Sequence, residues 1–350
     1  MSTDPPPFRF PAPIGGFPIS GDLAPSILFV CLYASLVGVA VLRIRNPQSR
    51  NVVMYAAVGY LSERVILWSL RAWTSQTPAE ARNRHIVTYF QVGFNAGYLA
   101  IWGKLAFLLR TVVVNSTKGT SPDSAGTPME ELPRQSDIES PALPSSAGPS
   151  DSKLKIVQTE ELVIAVQEPQ KMYVEDQPRR RALYRKVLNI ITPAMLLPFI
   201  IGAVMGNWYP DAETSASKAK TVEALRYIVA VLALMLVISA QTIAIFALFV
   251  SRRVRRGPIL LLLLIASIIM IIPIYQLVIM RDQTTSLLSH SRGSQNTPEE
   301  KVFFYVLQVV PEFTCVCALL SINTKRMFGT DMWGDHADDV SRLRRRFARR

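Results

Sequence analysis

"PILLLLLIASIIMIIPIYQLVIM", residues 258–280, carries no charged residue from end to end. A helix needs about twenty apolar residues to cross a hydrocarbon core of roughly 30 Å. This stretch meets that length and shows no polar face that water would require. It places the chain among membrane proteins before any motif is considered.

Six further blocks have a similar character: 24–42, 52–74, 86–113, 187–206, 225–250 and 302–322. The blocks at 52–74 and 86–113 also carry charges and amides. The expected fold is an all-α membrane protein, a seven-transmembrane helix bundle in the plasma membrane or an endomembrane. Of the 350 residues, 49% are hydrophobic, and the mean hydropathy is positive, which agrees. Residues 1–23 have neither a basic n-region nor a small-residue cleavage site, so the first span is expected to direct insertion.

Orientation follows Lys and Arg in short loops. The net charge of +12 is unevenly spread. Arg43, Arg45 and Arg50 follow the first span, and Arg179, Arg180, Arg181, Arg185 and Lys186 precede the fourth. Arg252, Arg253, Arg255 and Arg256 join the fifth to the sixth, and Lys325 and Arg326 follow the seventh. These alternate with the spans and belong on one side, the cytosol. The expected topology is N-terminus out and C-terminus in, although Arg71 and Arg226 at outer span edges run against it.

The expected organisation is an outer N-tail (1–23), spans one to three (24–114), a disordered cytosolic linker (115–178), spans four to seven (179–322) and a basic cytosolic tail (323–350). The linker is rich in Pro, Ser and acid, without helical period, and buries too little apolar surface to offset the entropy of ordering. It reads either as a phosphorylatable regulatory loop or as a passive tether. The tail "DDVSRLRRRFARR" reads as a short amphipathic helix. Arg342, Arg344, Arg345 and Arg346 would bind anionic lipid of the inner leaflet, at about 1 kcal/mol per basic residue near the surface. The bland reading is a solvated topology signal. A tail that follows a membrane span argues against nucleic acid.

Glu312 interrupts the last span, "VFFYVLQVVPEFTCVCALLSI" (302–322). At 1.5 Å per residue it lies about 15 Å deep, near the midplane. A charge there costs about 3 kcal/mol on insertion scales, so it should face protein or trapped water. Tyr305, Gln308, Glu312 and Cys315 share one stripe. Glu63 and Arg64 reach a similar depth in the second span, and Gln91 and Asn95 line the third. The expected site is a polar, partly hydrated centre of Glu63, Arg64, Gln91, Asn95, Tyr305, Gln308 and Glu312, with Arg64 paired to Glu312. Gln241 and Gln276 add amides, and Lys104 is expected to snorkel to the cytosolic edge. The bland alternative is an ion pair that only fixes helix packing.

No metal ligand set and no cofactor is expected. The histidines do not share a helix face, and Cys31, Cys315 and Cys317 all lie inside spans. The seventh span offers no lysine for a retinal Schiff base. No phosphate loop, nucleophile elbow or Ser/His/Asp grouping is present, so an enzyme is not expected.

The region from Phe303, "FFYVLQVVPEFTCVCALLSINTKRMFGTDMWGD", resembles the C-terminal end of an uncharacterised family of fungal seven-span, G-protein-coupled-receptor-like proteins. Phe304-Tyr305, Pro311-Glu312, Asn323 and Phe328-Gly329-Thr330 carry the resemblance. The start, "DLAPSILFVCLYASLVGVAVLRIR", with "VGYLSERVI", is loosely similar to fungal lipid-translocating exporter-like proteins. "LLRTVVVN" replaces the acid-Arg-aromatic sequence of receptors, and span seven lacks Asn-Pro-x-x-Tyr, so the resemblance does not reach the G-protein-coupling sequences. It implies a receptor-like sensor of a ligand or proton with a cytosolic signalling partner. The alternatives are a transporter or lipid translocator, and a scaffold.

Overall fold

The computed structural model describes residues 8–118, 177–250, 255–330 and 332. Most of the expected linker lies outside the described residues. So does the tail from residue 333, with Arg342, Arg344, Arg345 and Arg346. The helices belong to the unit formed by residues 1–117 and 178–350.

The described residues form an all-α bundle with one two-residue β-pair. Its helices are α1 (Leu23–Arg45), α2 (Val52–Thr74), α3 (Pro78–Ala81), α4 (Arg84–Ala96), α5 (Leu99–Asn115), α6 (Pro178–Ala194) and α7 (Leu196–Trp208). They continue with α8 (Ala216–Val250), α9 (Arg256–Ile279), α10 (Pro298–Phe304), α11 (Val310–Ser321) and α12 (Thr324–Phe328). Among the described residues, six helical runs are long and apolar enough to cross a membrane: Ser20–Arg45, Arg84–Asn115, Pro178–Glu213, Ala216–Phe249, Arg256–Ile279 and Pro298–Ser321. Helix α2 has 23 residues, as many as α1, but with Glu63 and Arg64 at its middle it is outside that set.

An apolar belt faces outward. Leu42, Ile190, Met235, Phe249, Leu264, Val278 and Val302 are all more than half exposed. So broad an apolar surface would aggregate in water and is stable against lipid. The chain is thus built as a multi-pass integral membrane protein. The run Arg84–Asn115 is its most enclosed segment, with 61% of its apolar window buried against 17% for the first run.

Three runs are interrupted. Helices α4 and α5 part at Gly97–Tyr98, and α6 and α7 part at Met195 between Pro193 and Pro198. Between α10 and α11 lies a π-turn, Tyr305–Val309, just before Pro311. Proline lacks the amide hydrogen that closes a helical turn, which accounts for a break or bulge at the last two.

Residues 10–19 form a plug at one end of the bundle. Strand β1 (Phe10–Pro11) pairs antiparallel with β2 (Gln283–Thr284), and Ala12 N donates to Asp282 O at 3.0 Å. Gly15 and Gly16 then turn the chain inward at φ +72° and +66°. A Cβ on Gly16 would fall 2.0 Å from the carbonyl oxygen of Gln295. Tyr209 OH donates to Pro11 O at 2.8 Å and Arg226 Nη1 to Ala12 O at 2.7 Å. Arg226 therefore turns inward to the plug rather than marking a membrane edge. The opposite end closes where Asn51 Nδ2 donates to Thr324 and Thr330 and Asn115 Nδ2 donates to Gly329 O.

Candidate functional site

Helix α2 places Tyr60, Arg64, Leu67 and Arg71 on its buried face, at helical spacing. Glu312 comes from the first turn of α11. Arg64 Nε lies 2.5 Å from Glu312 Oε1 and 3.1 Å from Tyr60 OH, to which it donates. Tyr60 OH donates in turn to the same carboxylate oxygen. Arg64 Nη2 donates to Gly93 O at 3.0 Å. The guanidinium fits because Gly97 has no side chain. Both ionic partners are buried, so each charge is held by the other instead of by water.

Two further charges frame this pair. Lys104 Nζ lies 4.7 Å from the centre of the Tyr60 ring and donates to Ala100 O. Lys104 was expected to reach for the cytosolic edge; it is buried and turns into the site. Packing against Tyr60, a cation–π contact, replaces the interface as its refuge. Glu63 sits at the margin, its side chain 37% exposed, with Oε2 3.5 Å from Arg64 Nε. Tyr89 OH donates to Glu63 Oε1 at 3.1 Å. The formal charges of Arg64, Lys104, Glu312 and Glu63 cancel.

The helix interruption after Ala96 leaves the Phe94 carbonyl to accept from side chains. Gln276 Nε2 donates to it at 3.0 Å and Gln308 Nε2 at 2.6 Å, tying α9 and the π-turn to α4. Asn95 is buried, and neither of its amide atoms has a hydrogen-bond partner. Tyr33 OH, Tyr98 OH, Trp102 Nε1 and the Oε1 atoms of Gln276 and Gln308 are likewise buried and unpaired. Buried polar atoms are normally satisfied by protein or ordered water, and protein does not satisfy these.

A second ionic cluster sits two helical turns along α2, about 10.5 Å away by helical rise. Asp22 Oδ2 accepts from Lys301 Nζ at 2.6 Å, Arg71 Nη2 at 3.1 Å and Ile19 N at 3.1 Å. Asp22 Oδ1 accepts from Tyr305 OH at 2.8 Å. Lys301 Nζ and Arg71 Nη2 also donate to Gly15 O, and Lys301 to Phe17 O. The cluster clamps the plug. The rings of Phe29, Trp68, Phe94, Phe304 and Tyr305 pack around it, stacked, tilted or edge to face.

Of the seven expected residues, Arg64 and Glu312 meet directly, and Glu63 touches their edge. Gln308 bonds to the neighbouring Phe94 carbonyl. Gln91 and Tyr305 serve the plug instead: Gln91 Oε1 accepts from Ile14 N at 3.1 Å. Asn95 faces α7, its Nδ2 3.3 Å from where a Cβ on Gly202 would lie. Sequence reasoning missed Tyr60 as a bridging group and missed the Asp22–Arg71–Lys301 cluster. An acid just ahead of the first span and a lysine at the edge of the last were the signal that could have found it. No family model, curated protein or solved structure matches this chain.

Proposed function

We propose that the chain is a seven-span receptor-like membrane protein, N-terminus outside and C-terminus in the cytosol. It senses a ligand or proton through the centre formed by Glu312, Arg64 and Tyr60. Its basic inner loops would face a cytosolic partner or anionic lipid. Helix α2 joins the six runs in this reading, as the second of seven spans. Its length matches α1, Arg64 and Arg71 point inward, and its most exposed large residues are Tyr55, Ile66 and Trp73.

The observation that carries the sensor reading is the burial of the Glu312 carboxylate of α11, whose direct partners among the described residues are Arg64 and Tyr60 of α2. A proton or an anionic ligand group reaching this centre changes what holds those helices together. The adjacent π-turn and the break at Gly97 are places where the surrounding helices can shift.

The test uses purified protein in lipid nanodiscs, titrated with acid while tryptophan emission and the infrared carboxyl band are followed. A transition is expected in the wild type and is lost in Glu312→Gln. The sensor reading fails if the folded Glu312→Gln protein titrates like the wild type. Protease protection of tags at the two termini tests the topology, with opposite sides expected.

A transporter is the second reading. Interrupted helices near mid-membrane are common where substrates cross, and three runs here are interrupted. The plug fills one end, so a path would need it to move. Flux across reconstituted vesicles, faster once the plug is released, would favour this reading.

A further inference from the structure

A cleft of about 690 Å³ opens between the end of α9 and α10, beside the plug. That is the size range of ligand sites. Its lower wall is apolar: Val278 and Phe303 are 64% and 57% exposed, and Leu307 of the π-turn continues the surface. Val302 and Val306, exposed alongside, extend the lipid-facing belt up to it.

Its rim is cationic. Arg9, Arg281 and Arg292 all line the cleft, from three separate segments of the chain. None of the three forms an ion pair among the described residues. Two carboxylates share the cleft, but both are engaged by its own wall. Asp282 Oδ2 accepts from Gln295 Nε2 at 2.5 Å. Glu300 accepts from Gly293 N at 2.6 Å and from Thr297 N at 3.3 Å, as part of the cap of α10.

Most other cations at this end are committed. Lys301 and Arg71 hold Asp22, Arg226 holds the plug, and Arg84 and Lys218 hold Asp211. Three free guanidinium groups above an apolar wall at a membrane boundary match one ligand chemistry: an anionic head joined to hydrocarbon chains.

We infer that this cleft binds an anionic phospholipid. The headgroup phosphate is held by Arg9, Arg281 and Arg292, and the acyl chains lie along Val278, Phe303 and Leu307. The inference rests on the membrane setting of the chain and not on the sensor reading of the polar centre. With the N-terminus outside, the lipid is one of the outer or lumenal leaflet, apart from the inner-leaflet lipid expected at the basic tail.

The test measures binding of phosphatidylglycerol, phosphatidylcholine and glycerol phosphate to the purified full-length protein by native mass spectrometry. Phosphatidylglycerol is expected to bind most tightly. The double variant Arg281→Gln/Arg292→Gln should weaken it by about tenfold or more. Arg82→Gln/Lys220→Gln removes two exposed cations elsewhere at the same end and should leave binding unchanged. Equal loss in both double variants would mean diffuse surface charge and would overturn the site. Glycerol phosphate binding as tightly as the lipid would overturn the role of the apolar wall. Phosphatidylcholine binding as tightly as phosphatidylglycerol would overturn the role of the arginines.

Discussion

A Cβ on Gly97 would lie 1.5 Å from Nη2 of Arg64. The guanidinium of α2 occupies the space a side chain of the neighbouring helix would need. The ion pair at mid-bundle therefore depends on one missing methyl group. Gly97→Ala must expel Arg64 from Glu312 or push the helices apart. A loss of about 3 kcal/mol is expected, the scale of breaking a buried pair. Gly93→Ala is the comparison: its Cβ would meet the flexible end of Leu67 at 2.4 Å, which can turn away. Thermal unfolding in detergent should rank Gly97→Ala well below Gly93→Ala, and equal values would contradict this packing.

The Arg64–Glu312 pair predicts non-additive energetics. Arg64→Gln leaves a buried carboxylate with only Tyr60 as direct partner, and Glu312→Gln leaves a buried guanidinium. Each single change should cost about 3–5 kcal/mol, while the double change should cost less than the sum. A double-mutant cycle on unfolding free energy measures the coupling. Additive losses would mean the two charges do not satisfy each other.

Asp22 gathers donors from three directions, and its loss should free the plug before the bundle. In Asp22→Asn, the backbone amides of residues 10–19 are expected to exchange with deuterium faster, with α5 and α9 little changed. Gly16→Ala should act in the same direction, because alanine is strained at φ +66° and its Cβ meets backbone. Uniform loss of protection across all helices would contradict a local clamp.

Asp282 lies outside the spans, and its burial pushes its carboxyl above the ordinary range. The folded state thus prefers this group protonated. Its contribution to stability is full below the unfolded value of about 4 and is lost as pH rises through the raised one. Asp282→Asn should remove that part of the pH dependence. The check is the difference in unfolding temperature between wild type and variant across the acid range, which should widen in the variant's favour as pH rises.

The membrane class and the limits of α2 and α9 were legible in the sequence because hydropathy over twenty residues is a local property. So was the need of Arg64 and Glu312 for a partner, since the cost of a charge at mid-depth depends on depth alone.

Charge balance at one depth also put Arg64 with Glu312, a pair the structure forms, but the other pairings were decided by the fold. Asp22 and Lys301 are 279 positions apart, and Tyr60 and Glu312 are 252 apart. Nothing local announces that Arg71 closes over a plug or that Lys104 turns inward. By itself the sequence determined which residues could not face lipid, because transfer energy belongs to the residue. Only the tertiary structure decided which groups satisfy them, because a hydrogen bond depends on distance, and distance across a bundle is set by packing and by where glycine leaves room.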